Sequence, residues 1–225
     1  MPTVVRNTAV RPARARSPEE KGQRRDDILR AAEQLWTGTS HADLSMNQVA
    51  REAGLAKGTL YLYFDTREEL FLALLTEHLQ AWVGELTTLL DERRPRTPAE
   101  VADVLAVSAR GHEALRRLLM LLGTVLGRNE NYELDLKFRR EVRQMLEGVL
   151  ERMPFRPEVT LRVLMHTFAL AVGWQHASEE TLTTDYLRRQ RDLAFLAPRF
   201  GTEFTFSLRA VIEGLVAEAE AQRVP

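Results

Sequence analysis

Apolar residues recur along this chain at the 3.6-residue spacing of α-helices, and no sustained two-residue alternation marks a strand, Phe204-Thr205-Phe206 being only locally ambiguous. The first stripe is Ile28, Ala31, Ala32, Leu35 and Trp36, one helix face with Asp26 and Asp27 near its start and Gly38 as its stop. Ser45-Met46-Asn47-Gln48 has the form of a capping box and predicts a short helix through Ala53, ended by Gly54 just past the cap. After the turn Leu55-Ala56-Lys57, the segment Gly58 to Phe64 has room for two more turns of helix. Thr66-Arg67-Glu68-Glu69 is a second capping box. Behind it Phe71, Leu74, Leu75, His78, Leu79, Trp82, Leu86, Leu89 and Leu90 hold a stripe as far as Asp91, a rod of roughly 40 Å. Pro95 breaks that rod, and Thr97-Pro98-Ala99-Glu100 opens the next helix with an N-cap, a proline at the first position and a glutamate at the third. Further helices are predicted over 111–127, 133–152, 158–176 and 203–222. Between them, Leu182, Tyr186, Leu193 and Phe195 settle on no single period, so 177–199 is compatible with a helix or an ordered loop. The expectation is an all-α protein.

Composition changes this picture only where it is uneven. The 225 residues carry 31 Lys+Arg against 32 Asp+Glu, a formal charge of −1 that announces no partner. Residues 1–67, however, hold 11 basic and 8 acidic groups, and the acidic excess lies in the remainder. The absence of cysteine excludes disulfide frameworks, thiolate zinc sites and Cys nucleophiles, and agrees with a reducing compartment. The amino-terminal 20 residues lack an apolar core of signal-peptide length, and no later stretch approaches the ~20 apolar residues of a membrane span. A soluble, cytoplasmic protein is expected.

Two short helices joined by a tight glycine-containing turn have the arrangement that lays a second helix in the DNA major groove. Lys57 stands at the start of that second helix, where phosphate is attracted; Thr59 offers a hydroxyl, and Tyr61 and Tyr63 lie on positions that Leu60 and Phe64 leave free. Any helical hairpin has a polar face, and Tyr61 at helical spacing fits a core position as well as a DNA-facing one. The run from Ile28 through Leu70, above all AREAGLAKGTLYLYFDTREEL from Ala50 to Leu70, resembles the amino-terminal domain of TetR-family transcriptional regulators. Gly54, Thr59-Leu60-Tyr61, Tyr63-Phe64 and the capped long helix occur there together and in order. The resemblance implies that Ser45, Met46 and Asn47, and then Lys57, Gly58, Thr59, Tyr61 and Tyr63, meet DNA. It also implies that the start of the following helix touches phosphate. Arg67 stands there in place of the more common lysine, which keeps the charge and permits a bidentate contact. It further implies a DNA-binding domain over 24–67 and a helical effector-binding and dimerisation domain over 68–225, with no cofactor; residues 1–23, which mix Pro, Arg, Ala and Ser without an apolar period, have the composition of a flexible basic arm. The arm's Arg6, Arg11, Arg14, Arg16 and Lys21 suit a solvated tail or a minor-groove contact, and Arg24 and Arg25 are placed nearest the first helix.

Surplus apolar residues on the helices near 158–176 and 203–222, among them Val159, Val163, Phe168, Ala169, Val172, Leu208, Val211, Ile212, Leu215 and Ala219, suit a homodimer through a four-helix bundle or an internal core. The consecutive Leu118 to Leu122 predict a middle helix buried nearly all round. Around it Trp82, Leu86, His112, Leu115, Met120, Tyr132, Phe138, Met145 and His166 suit a cavity for a lipophilic or aromatic effector, or plain core. The long helix from Arg67 to Asp91 is the natural lever for such a ligand. The reading is therefore a regulator, in the family's usual case a repressor, released from a palindromic operator by a small lipophilic ligand. The alternatives are a ligand-independent or architectural DNA binder, and a small helical enzyme using His78, His112 and Glu113. His41, His166 and His176 are scattered, and no HExxH, GxSxG, P-loop or GxGxxG occurs.

Overall fold

The computed structural model describes residues 17–38, 45–125, 132–179 and 181–222, and among these it contains helices and no strand. The arginines of 1–16 and His41 lie outside the described residues. The chain divides into two compact units between Leu74 and Leu75, inside the long helix rather than at its start.

In the first unit α1 (Pro18–Gly38) begins earlier than the apolar stripe foretells. The Oγ of Ser17 accepts the amide of Glu20 at 3.1 Å, Pro18 occupies the first helical position, and Glu19 and Glu20 sit against the positive helix end. Cap chemistry, not apolar period, sets this start, so residues 18–23 belong to the helix and not to a flexible arm. Farther along, Ile28, Leu29, Ala31, Ala32 and Trp36 are buried, as are Val49 and Ala50 of α2 (Met46–Glu52), Leu60 of α3 (Lys57–Leu60), and Leu70 and Phe71 at the start of α4 (Arg67–Arg93), with α2 packed on both α1 and α3. The Trp36 and Phe71 rings meet edge to face, 5.7 Å between centroids.

In the second unit the helix with least solvent is α5 (Pro98–Arg110), where Val101, Ala102, Val104, Leu105, Ala106, Ser108 and Ala109 are all buried. Thr97 and Glu100 form its capping box, and the Glu100 carboxylate is held below its ordinary pKa by the amides of Arg96 and Thr97. Around α5 pack the later turns of α4, α7 (Tyr132–Arg152), α8 (Pro157–Ala177) and α10 (Phe200–Ala221). The helix α6 (Glu113–Val125) is not the centre expected of it: Leu115 and Leu118 are buried, whereas Leu119, Met120, Leu121 and Leu122 are half-buried. The unsettled segment holds a short helix α9 (Leu182–Arg189), capped by Thr181 and Thr184, and a 3₁₀ turn at Ala194–Leu196. Phe204 and Phe206 lie in α10, so no strand forms there.

One cation lies deep in this unit. Arg116 of α6 is 7% exposed; its Nε donates to Gln175 Oε1 of α8 at 2.8 Å, its Nη1 donates to the carbonyls of Ala109 and Arg110 that end α5, and its guanidinium lies 4.1 Å from the centre of the Phe200 ring. Burial pushes its pKa down, with Glu113 opposing. Four helices thus meet on one side chain. Exposed ion pairs add registration rather than much stability, Asp91 with Arg152 at 2.9 Å and Arg162 with Glu218 at 2.8 Å among them. No helix among the described residues is long and apolar enough to cross a membrane.

Two substitutions test these assignments. Leu105→Ala should lower the unfolding free energy by about 2–5 kcal/mol, against less than about 0.5 kcal/mol for Leu136→Ala on the exposed face of α7, both by urea denaturation. Gly54 has a φ of 65° with open space where a Cβ would go, so Gly54→Ala should cost about 1–2 kcal/mol through backbone strain alone, visible as faster hydrogen exchange of the α2 amides.

Candidate nucleic-acid interface

The α2–α3 pair is fixed by its ends. At the entrance to α2, Ser45 Oγ accepts the amide of Gln48 at 3.3 Å while Gln48 Oε1 accepts the amide of Ser45 at 2.8 Å. At its exit the amide of Leu55 reaches back to the Ala50 carbonyl at 2.8 Å and that of Gly54 to the Arg51 carbonyl at 3.1 Å, a Schellman pair that needs the left-handed backbone of Gly54. Buried Leu55 then delivers the chain into α3. Past Leu60 the bonds shorten to three-residue turns, Leu62 to Thr59 and Tyr63 to Leu60, so the regular helix is one turn and not two.

Leu60 and Phe64, four residues apart, are the buried anchors of this segment, and a guanidinium from α1, that of Arg25, lies 5.6 Å from the centre of the Phe64 ring. Their opposite face is free. Asn47, Lys57 and Gly58 are exposed, Tyr61 is 38% exposed with Lys57 Nζ 5.8 Å from its ring, and Thr59, Tyr63 and Arg67 are half-buried. Gly58 has open space around its Cα, so a large partner can approach the backbone there. Two placements depart from expectation. Met46 is buried at 8%, a core residue of the three-helix unit and not an outward contact, because it shares a helix face with Val49 and Ala50. Leu62, 64% exposed, stands on the free face and was missed; two residues on from anchored Leu60, helical phase alone points it outward.

The residues expected around an effector are distributed unevenly within the second unit. Trp82 Nε1 donates to Ser108 Oγ at 3.2 Å, and one turn along α4 Glu85 meets His112 Nε2 at 2.8 Å, so Trp82, Leu86 and His112 come together where α4 runs beside α5. Leu86, Leu115 and Phe138 are buried, and Met120, Met145 and His166 are half-buried. Tyr132 is 79% exposed, about 120° around α7 from the face that buries Phe138 and Val149, and in the single chain it lines no interior. Of the residues expected at a dimer interface, Val159, Val163, Leu208, Ile212 and Leu215 are spent on the internal core, and Phe168 remains exposed. Among the described residues no three of His, Asp and Glu gather as a metal site, and His112 faces Glu85 instead of His78.

Residues 28–74 match the family model for bacterial regulatory proteins of the tetR family, and residues 76–219 match that for the tetracyclin repressor-like C-terminal domain. An uncharacterised HTH-type transcriptional regulator of Mycobacterium tuberculosis is 51% identical over 45 residues, which is 20% of this chain and 22% of that protein. The chain thus spans about a fifth of that relative's length. A TetR transcriptional regulator from Rhodococcus sp. RHA1 has the same fold, with 20% identity, a TM-score of 0.58 and coverage of 87% of this chain and 97% of that one. So does FadR of Thermus thermophilus, a transcriptional repressor solved with lauroyl-CoA, at 21% identity, a TM-score of 0.51 and coverage of 83% and 93%. With one model over the amino-terminal unit and another over most of the remainder, the chain belongs to the TetR family of bacterial regulatory proteins.

Proposed function

We propose that this protein is a transcriptional repressor that binds a palindromic DNA operator as a homodimer and leaves it on binding a small lipophilic ligand. The observation that carries the reading is the division of labour along α3 and the turn that follows it: Leu60 and Phe64 hold the segment in the core while Lys57, Thr59, Tyr61, Leu62 and Tyr63 line its outer side. A cation and hydroxyl groups suit phosphate oxygens, and an exposed leucine suits a thymine methyl group. Ser45 holds its own cap, and Asn47 and Arg67 flank α3 in sequence as further contacts. The resident chemistry is binding, and no enzymatic step is assigned.

The dimer reading is supported by α8. Leu161, Met165 and Phe168 are exposed at 50%, 64% and 41%, with Ala169 beside them, and α10 offers the small exposed residues Ala210, Gly214 and Ala217. A second copy of the same two helices fits such a stripe, since small residues let helices approach closely while large ones interdigitate. A two-fold dimer places its recognition segments about 34–36 Å apart or on a related spacing. The lipophilic ligand is supported by the half-buried Trp82, Met120 and Met145, and by the lauroyl-CoA carried by the Thermus relative. To move such a dimer from 99:1 to 1:99 operator-competent, the ligand must prefer one form by about 5.5 kcal/mol.

Lys57→Ala should weaken operator binding on all sequences alike and lower the salt slope of log K by roughly one unit, whereas Tyr63→Ala should cost about 1–3 kcal/mol and relax sequence preference; fluorescence anisotropy over a salt series separates the two. Unchanged affinity in the folded double variant would remove α3 from the interface. Met165→Asp should turn the sedimenting species from dimer to monomer at micromolar concentration, and a wild-type protein already monomeric would end the dimer reading.

A further inference from the structure

The end of α5 and the first turns of α10 form an open cleft of about 660 Å³, lined by three arginines far apart in sequence: Arg110, Arg199 and Arg209. Arg110 closes α5, and its Nη2 donates to Thr205 Oγ1 at 3.2 Å, whose own hydroxyl donates to the Gly201 carbonyl at 2.7 Å. Arg209 is held from the side by Asp103 of α5 at 2.7 Å. The Arg199 guanidinium makes no hydrogen bond or ion pair among the described residues. Among the described residues no carboxylate is part of the lining, Asp103 standing beside it as the partner of Arg209.

The backbone adds to the same sign. Arg199 is the N-cap residue of α10, a helix of 22 residues, and supplies no side-chain bond to the first amides. The positive end of the macrodipole therefore sits beside guanidinium groups it would ordinarily repel, with Glu203 in the first turn as a partial counterweight. A fourth cation, Arg116, is buried behind this turn against the Phe200 ring. Guanidinium forks, the Thr202 hydroxyl and open helix amides are donors matched to a multiply charged oxyanion, and Arg takes such groups bidentately. Phe206, 73% exposed at the rim, offers a flat apolar surface to the rest of a ligand.

We propose that the Arg110–Arg199–Arg209 cleft is a binding site for a phosphate-bearing small molecule, separate from the lipophilic lining around Trp82. The site concerns binding in the second unit and stands whether or not the protein leaves DNA on binding it. Full-length protein is titrated calorimetrically with pyrophosphate and with inorganic phosphate at constant ionic strength, acetate and chloride serving as singly charged comparisons. Pyrophosphate should bind once per chain and more tightly than acetate. R110Q/R199Q should weaken it by about tenfold or more, R110K/R199K less, and R140Q/R143Q on exposed positions of α7, which removes the same charge, hardly at all. Circular dichroism confirms that each variant is folded. Equal weakening by both glutamine pairs would reduce the effect to general electrostatics and overturn the site, as would the absence of pyrophosphate binding. If R110Q/R199Q instead changes the sedimenting species, or lowers DNA affinity, while the wild type ignores pyrophosphate, the cleft receives a second copy or a DNA backbone and the proposal fails.

Discussion

A helix with almost no solvated side needs neighbours all around it, and α5 imposes that requirement on the whole second unit. Between Val101 and Ala109 its side chains are small or apolar apart from Asp103 and Ser108, and each of those two is used: Asp103 reaches Arg209 of α10, and Ser108 receives the indole N–H of Trp82. Enclosing a helix this way leaves its last carbonyls without water, a penalty of several kcal/mol if they stay unpaired. Arg116 answers it by donating to the carbonyls of Ala109 and Arg110 from the next helix, and the cost of burying its own charge is spread over Gln175 and the Phe200 ring. The helix ladder, the polar cluster and the packing are one solution to one problem.

The first unit solves a different one, which is to expose a short helix without losing it. A four-residue helix has no stability of its own. α3 persists because Leu55 precedes it and Leu60 and Phe64 pin it, each buried, so its outward side is free to carry residues that contribute nothing to the core. Gly54 directs the entry of this segment through its positive φ.

Much of this was legible in the residues. Helix ends were written in cap chemistry: Ser45 with Gln48 and Thr97 with Glu100 formed the bonds their spacing foretold, and Ser17-Pro18-Glu19-Glu20 carried the same message and went unread because the apolar stripe began later. The identity of the central helix is legible too, since 101–109 is small or apolar at every position but Asp103 and Ser108, whereas the denser leucine run at 118–122 is only part-enclosed; bulk does not measure enclosure, and small residues mark where helices come closest. Tyr132 lies away from the interior expected of it, and Val159, Val163, Leu208, Ile212 and Leu215 take the internal-core alternative, because a stripe shows that a face is apolar and not which partner covers it. Leu62 was legible in phase and was passed over because exposed leucines need no explanation one at a time. The arginine cleft could not be read at all: Arg110, Arg199 and Arg209 meet only through the crossing of α5 and α10.

That crossing sets a timetable for the nascent chain. Asp103 and Arg209 are 106 positions apart, and Arg110 and Thr205 are 95 apart, so α5 leaves the ribosome long before the helix that covers it exists. At about 5–20 residues per second, the apolar flank of α5 waits several seconds or more with Leu105 and its neighbours open. The amino-terminal unit, whose helices are consecutive, closes in that interval from local contacts, whereas the second unit stays incomplete until its last long helix arrives. Until α10 arrives that surface is open to misassociation, and the interval lengthens with every residue that separates the two helices in the chain.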